Sequence, residues 1–179
     1  MFAVIMYKSE IFPMPGYYDG YINLVQDDDL FIALDKSLEL IENYDVKMLE
    51  DIGDRVYQPG KWTIKDIFQH MIDTERIFDY RALRFARHDS TPLPPYDEES
   101  YGKYSMAVSR DMTQILDELK QLRRSTIQLF RSFHPSVFQN SGTFFNQQVS
   151  VLAIGFIIIG HQVHHLNIIK ERYAPLIKS

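Results

Sequence analysis

The 179-residue chain contains no cysteine, and that one absence removes disulfides, thiolate metal ligands and a cysteine nucleophile together. It fits a reducing compartment, so a cytoplasmic location is expected. An excess of positive charge is also missing. Nineteen lysines and arginines stand against 24 aspartates and glutamates, a formal net charge of −5. A general phosphate-backbone binder carries the opposite balance, so no nucleic-acid partner is expected. Long apolar runs are scarce: the longest, Val151 to Gly160, is about half the roughly 20 residues of a membrane span, and it leads straight into His161. At the start, Met1 to Met6 is apolar, but the first positive charge, Lys8, follows that stretch instead of preceding it. No targeting segment and no membrane partner are expected. Nothing repeats, and the length suits a single domain over residues 1–179.

What is present is helical periodicity. Residues 1–27 are turn-rich and aromatic, with Pro13, Pro15, Gly16, Tyr17, Tyr18, Gly20 and Tyr21, and read as an irregular arm laid across a domain. A first helix is predicted from about Asp28 to Tyr44 on Leu30, Leu34, Leu38 and Ile41, with Asp27, Asp28 and Asp29 at its dipole-favoured start. The second is predicted from a Thr63 cap, with Asp66 as capping-box partner, to about Arg87. The stretch His88 to Ser109 holds Pro92, Pro94 and Pro95 and cannot be one continuous helix. A third helix is predicted from about Arg110 to Phe133, a turn at Asn140-Ser141-Gly142, and a last helix from about Ser150 to Tyr173. Four helices and no persuasive strand give an all-α fold, a four-helix bundle with long connections. The second connection, roughly 21 residues, can reach about 70 Å when extended. The second helix is only about 37 Å long, so helices two and three can run parallel.

His161, Gln162, Val163, His164 and His165 form the most informative pentapeptide. Four residues are about 6 Å of rise and nearly one turn, so His161 and His165 share a face and can grip one metal. The zinc-protease motif is not met, because Gln162 stands where its glutamate would be. His161 with His164 is a competing pair, and a satisfied core histidine is the plain alternative for any of them. The apolar run through Ile154, Ile157 and Ile158 continues on the face of His161, which puts imidazoles toward the bundle interior, where polar groups need partners. Gly155 and Gly160 imply space, either for a close neighbour or for something bound.

A third ligand must come from another helix. His70, with Asp73 one turn on, supplies a ligand and a carboxylate to fix its tautomer or join the coordination sphere; an isolated histidine beside a surface aspartate is the alternative. Asp73 is also the candidate general base. Arg81, Arg84 and Arg87 recur at three-residue spacing. They read as an anchor for an anionic substrate or a thiol cosubstrate's carboxylate, Arg81 first, or else as a solvated face offset by Glu75 and Asp79. Trp62 is expected to pack at the helix entrance. Tyr96, Asp97, Glu98 and Tyr101 are expected in ordinary loop packing, with the border of a pocket as the alternative, and His88 and His134 at the surface.

Three separated blocks carry a family resemblance. Tyr57 to Arg87 (YQPGKWTIKDIFQHMIDTERIFDYRALRFAR), Thr91 to Glu98 (TPLPPYDE) and Val149 to Tyr173 (VSVLAIGFIIIGHQVHHLNIIKERY) resemble, in that order, the DinB-like (DinB/YfiT) superfamily. The resemblance implies a four-helix bundle holding a divalent metal on His70, His161 and His165, with His164 an adjacent non-ligand. Zinc, nickel, iron and cobalt all suit three nitrogens with open positions. It further implies a small-molecule substrate and either hydrolysis or transfer of a low-molecular-weight thiol, which a cysteine-free protein must take from outside. The alternative is a non-catalytic metal- or ligand-binding bundle of the stress response. A homodimer is suggested by the aromatic arm. Metal loss is expected as protons compete near pH 6.

Overall fold

The four long segments fold where periodicity and capping place them. In the computed structural model, which describes residues 6–89, 91 and 93–177, α2 (Leu30–Glu42) starts on Asp29, whose carboxylate accepts from the Phe31 and Ile32 amides. The short α1 (Asp19–Ile22) precedes it in the arm. The long α4 (Ile64–Ala86) opens on the expected capping box: Thr63 N–H donates to Asp66 at 2.9 Å and Asp66 N–H to Thr63 at 3.2 Å. α6 (Met112–Arg131) follows the proline-rich connection, and α7 (Val151–Ile168) starts on Ser150 and widens into a π turn at Ile169–Tyr173. Part of the sequence reading, Met1 to Ile5 with Ser90 and Pro92 of the connection, lies outside the described residues.

Side-chain pairs fix the direction of each helix. Gln69 meets Arg110, Glu75 meets Arg123 and Asp79 meets Thr126, so α4 and α6 run parallel. The long connection makes this geometry possible. Asp35 pairs with Arg131 and Glu42 with Arg124, so α2 is antiparallel to α6. Ser37 accepts from Gln162 in α7, and Leu30 packs at Gly155, so α2 and α7 run parallel. Around the bundle the order is α2, α6, α4, α7.

α7 is buried along its whole first ten residues, Val151 to Gly160, which explains why that run is apolar all round instead of on one face. The stretch Val151–Ile177 is long and apolar enough to cross a membrane by length and composition, and 72% of its most apolar window is buried inside the protein. The arm closes the side that the other helices leave open: α1 lies against α7. The space at Gly160 is filled by this arm, because a Cβ there would collide with the Tyr21 backbone carbonyl. Gly155 is filled likewise, its Cβ falling 2.7 Å from Leu30 Cδ1. Gly160→Ala is therefore expected to destabilise the protein by about 1–3 kcal/mol, the usual penalty of overpacking, seen as a lowered melting temperature.

α1, inside the arm expected to be irregular, escaped the sequence reading, and so did two further helices and a hairpin. α3 (Val46–Ile52) is a single capped excursion after α2, with Asp45 accepting from Met48 N–H. α5 (Glu98–Ser105) starts on Asp97 inside the connection expected to be irregular. Residues Ser141–Phe144 (β1) and Gln147–Ser150 (β2) form an antiparallel hairpin where a turn and no strand were expected. Its two-residue turn has positive φ at both Phe145 (49°) and Asn146 (56°), the combination that matches strand twist.

Candidate metal centre

His70 of α4 and His161 and His165 of α7 converge inside the bundle, with 6%, 8% and 8% of their surfaces exposed. His161 is the hub: its Nε2 lies 3.0 Å from His70 Nε2 and 3.0 Å from His165 Nε2. The three ligand atoms all lie within 4.8 Å of one another. A ring nitrogen has one in-plane position, filled by a proton or by a lone pair, so His161 Nε2 cannot make two hydrogen bonds at once. The cluster is left unsatisfied by protein partners alone, and a cation accepting three lone pairs satisfies it. Two ligands of one ion at about 2.1 Å can sit no more than about 4.2 Å apart, so the 3.0 Å separations fit. Burial holds the rings in the neutral, ligating form. It pulls His70 down to about 4 and His165 down to about 3, each helped by neighbouring imidazoles, and His161 well below its ordinary value. Protons thus compete for these nitrogens at lower pH than for free imidazole, below the pH 6 expected from the sequence.

His164 is not in this group. Half-buried, it meets the Tyr21 ring edge at 5.2 Å and the His165 ring at 5.0 Å. Trp62 does more than close the helix start: its ring packs on His70 at 4.8 Å. The residue beside His70 Nδ1 is Thr74, at 3.5 Å, and Thr74 is 2.8 Å from the Tyr96 hydroxyl. Asp73 sits elsewhere. It accepts from Gln69 at 3.0 Å and lies beside Arg76 on the side facing Arg110 and Glu118. Thr74, four residues on, stays closer to the face of His70 than Asp73, three residues on. That spacing was the available signal, but a threonine carries no ligand signature.

Two cavities, each of about 290 Å³, reach the cluster. One is lined by Trp62, His70, His165 and Glu98, the other by Tyr21, Thr74, Tyr96, Glu98 and His161. Tyr96, Asp97 and Glu98 therefore border cavities instead of filling a loop, because α5 turns that segment back over α4. His88 and His134 are exposed, as expected.

The arginine stripe is not one solvated face. Three-residue steps drift about 60° around a helix, and the three side chains end in different surroundings. Arg81 is buried, Arg84 pairs with Asp89, and Arg87 is exposed over Phe133. Glu75 and Asp79, read as surface offsets, instead face α6. Arg123, 1% exposed, donates from Nε and Nη2 to the two Glu75 oxygens at 2.8 and 2.9 Å. Its Nη1 donates to the Ser37 hydroxyl and, at 2.6 Å, to Gln162 Oε1. This network anchors the residue next to His161.

Thr126 Oγ1 lies 2.7 Å from Glu75 Oε1 and 2.7 Å from Asp79 Oδ2. One hydroxyl has one proton to give. With Glu75 accepting from Arg123, the Asp79 carboxyl supplies the second proton. Burial, then the Glu75 charge, push Asp79 up to about 7. Between the ordinary carboxylate range and pH 7 the folded state binds the extra proton, so stability falls as pH rises through that window. Asp79→Asn is expected to raise stability at pH 8 by on the order of 2 kcal/mol and to change little near pH 4, as thermal melts at the two pH values will show.

The family model described as the DinB superfamily matches residues 33–169. A protein of Oceanobacillus iheyensis, provisionally named a metal-dependent hydrolase, is 22% identical over 166 residues, covering 88% of this chain and 92% of the relative. The structure of YfiT from Bacillus subtilis, described as a probable metal-dependent hydrolase with an unusual four-helix bundle topology, superposes with a TM-score of 0.65. It is 19% identical, over 89% of this chain and 87% of that one.

Proposed function

Because the chain belongs to the DinB superfamily and brings three neutral imidazoles to one point, we propose that it is a metal-dependent hydrolase acting on a small molecule in the cytoplasm. The observation that carries this reading is the pair of 3.0 Å contacts made by His161 Nε2. The names of the two relatives support it. His70, His161 and His165 would hold the ion, with zinc, nickel, iron or cobalt all suited to the donor set. The ion supplies Lewis acidity, which makes bound water or a bound thiol a nucleophile near neutral pH.

The protein's own groups do the rest. Thr74, steadied by Tyr96, sits beside the outer nitrogen of His70 and fixes its orientation. Trp62 and Tyr21 wall the rings against bulk water. Glu98 lines both cavities, and partial desolvation at their mouth, with Glu99 and Asp97 nearby, raises its carboxyl above the usual range although the residue is exposed. It is the group we assign to accept the proton; Asp73, turned toward α6, holds that seam instead.

Thiol transfer uses the same centre with an external thiol in place of water. With no cysteine in the chain, that thiol comes from outside the protein. A non-catalytic stress-response bundle is favoured by the lack of a carboxylate hydrogen-bonded to the imidazoles among the described residues. One experiment separates the three. Protein stripped with a chelator and reloaded with one metal at a time is assayed on ester, amide and electrophile panels, with and without added thiol. Turnover with water alone, restored by metal, is expected. Turnover that requires thiol establishes transfer, and none in any arm leaves binding alone. Full activity in the stripped protein overturns metal dependence.

A further inference from the structure

Arg81 lies eleven residues after His70 on α4, three full turns, so the two share a stripe of the helix about 16 Å apart along its axis. Long side chains on a helix lean back toward its N-terminus, which sends this guanidinium toward His70. Arg81 is 2% exposed. Tyr18 is its hydrogen-bond partner; among the described residues no carboxylate pairs with it, and its Nη1 is buried without a hydrogen-bond partner. Aromatic rings hold it instead: its guanidinium carbon is 4.2 Å from the Phe144 centroid, 5.4 Å from Phe78, 5.8 Å from Phe145 and 5.9 Å from Tyr96. Ring faces offset part of the desolvation of a cation. An anion offsets the remainder.

The cage has a second side. Phe78, Tyr96 and Phe145 also wall the cavity that ends on His161. The cavity thus has His161 of the imidazole cluster in its lining, and Arg81, a buried cation with no carboxylate partner, lies behind the rings that wall it. We propose that this cavity is a subsite for a compact organic monoanion, its carboxylate on Arg81 and its apolar body between the rings, pointing toward the imidazoles. The proposal deepens the hydrolase reading and rests on it for the role of the far end. At about 290 Å³ the space suits a single-ring molecule. Phe145, 43% exposed at the hairpin tip, is the wall that turns aside to admit the head group. Asp97, Glu98 and Glu99 line the cavity and are exposed; they repel any anion, so the Arg81 cation has to outweigh them, and a dianion is disfavoured further.

The test is calorimetric titration of the full-length protein with benzoate and with its neutral isostere benzamide, in metal-loaded and chelator-stripped protein. Benzoate is expected to bind at least tenfold tighter than benzamide in both forms. Arg81→Met is expected to erase that preference while keeping metal content, and to raise the melting temperature, since it removes an unpaired buried charge. Arg81→Lys is expected to keep part of the preference and guards against a variant that fails to fold. A preference that survives Arg81→Met, or equal binding of the two probes by the wild type, overturns the subsite. A preference that disappears on stripping and ignores Arg81 assigns the carboxylate to the metal, which overturns the subsite while leaving the hydrolase reading standing. Wild type that takes up no metal yet prefers benzoate through Arg81 does the reverse.

Discussion

Alanine at His161 is expected to abolish metal retention and to lower turnover by at least about a thousandfold, with helical content unchanged. The reason is the ring's position as the hub. Its Nε2 alone is 3.0 Å from both other ligand nitrogens, so its loss removes the shared vertex and leaves two ligands from two helices. Two imidazoles do not close a three-nitrogen site, and a metal that generates its nucleophile supplies most of the rate. The fold is expected to survive, since the deleted ring has no protein hydrogen bond that satisfies it and the surrounding α7 core is aliphatic. Metal analysis and circular dichroism on the same sample check this. A variant that keeps its metal and its turnover contradicts the assignment.

The largest stability effect is expected at Arg123. Its guanidinium binds Glu75 through two nitrogens and reaches Ser37 and Gln162 with a third, tying α6 to α4, α2 and α7 at once. Arg123→Met leaves Glu75 buried and unpaired, a class of change that costs about 3–5 kcal/mol. For a chain of this size that is roughly 10 °C or more in melting temperature. Glu75→Gln is expected to cost less than Arg123→Met, because the glutamine still accepts. The double replacement is expected to recover most of the loss, since a buried pair replaced by neutral groups of similar volume is often near neutral. Single variants within about 1 kcal/mol of wild type would show that the pair contributes little. Because Gln162 is held by Arg123, Arg123→Met is also expected to weaken metal binding.

These two predictions differ in how far the sequence reveals them. His161 and His165 are legible because four-residue spacing is a property of the helix itself. The capping box at Thr63 is legible because it too is local, and the length of one connection permits the parallel helices without requiring them. His70 was legible as a candidate beside Asp73, but joining it to His161 and His165 and leaving His164 out needed the family resemblance, since its partners are about ninety positions away. Glu75 and Arg123 carry no such mark. Separated by 48 residues, they look like ordinary surface charges until α4 and α6 are laid side by side. Thr74 was passed over for Asp73 because a carboxylate attracts a ligand reading and a hydroxyl does not.

The missed elements have local causes. α5 is eight residues long, too short for periodicity to rise above the prolines before it. The hairpin turns on Phe145 and Asn146, not on an Asn-Gly or Asp-Gly pair, so the usual short-range signal is missing. α5 brings Glu98 and Glu99 to the cavity walls, and the hairpin brings Phe144 and Phe145 to Arg81, so neither the walls nor the cage can be drawn without them.

X-ray absorption at the metal edge of the purified, loaded protein tests the shared ion most directly. Three imidazole nitrogens at about 2.0–2.1 Å per ion, with the remaining positions taken by oxygen, is the expected result. A shell with two imidazoles or fewer, or one unchanged in the His70→Ala protein, contradicts it.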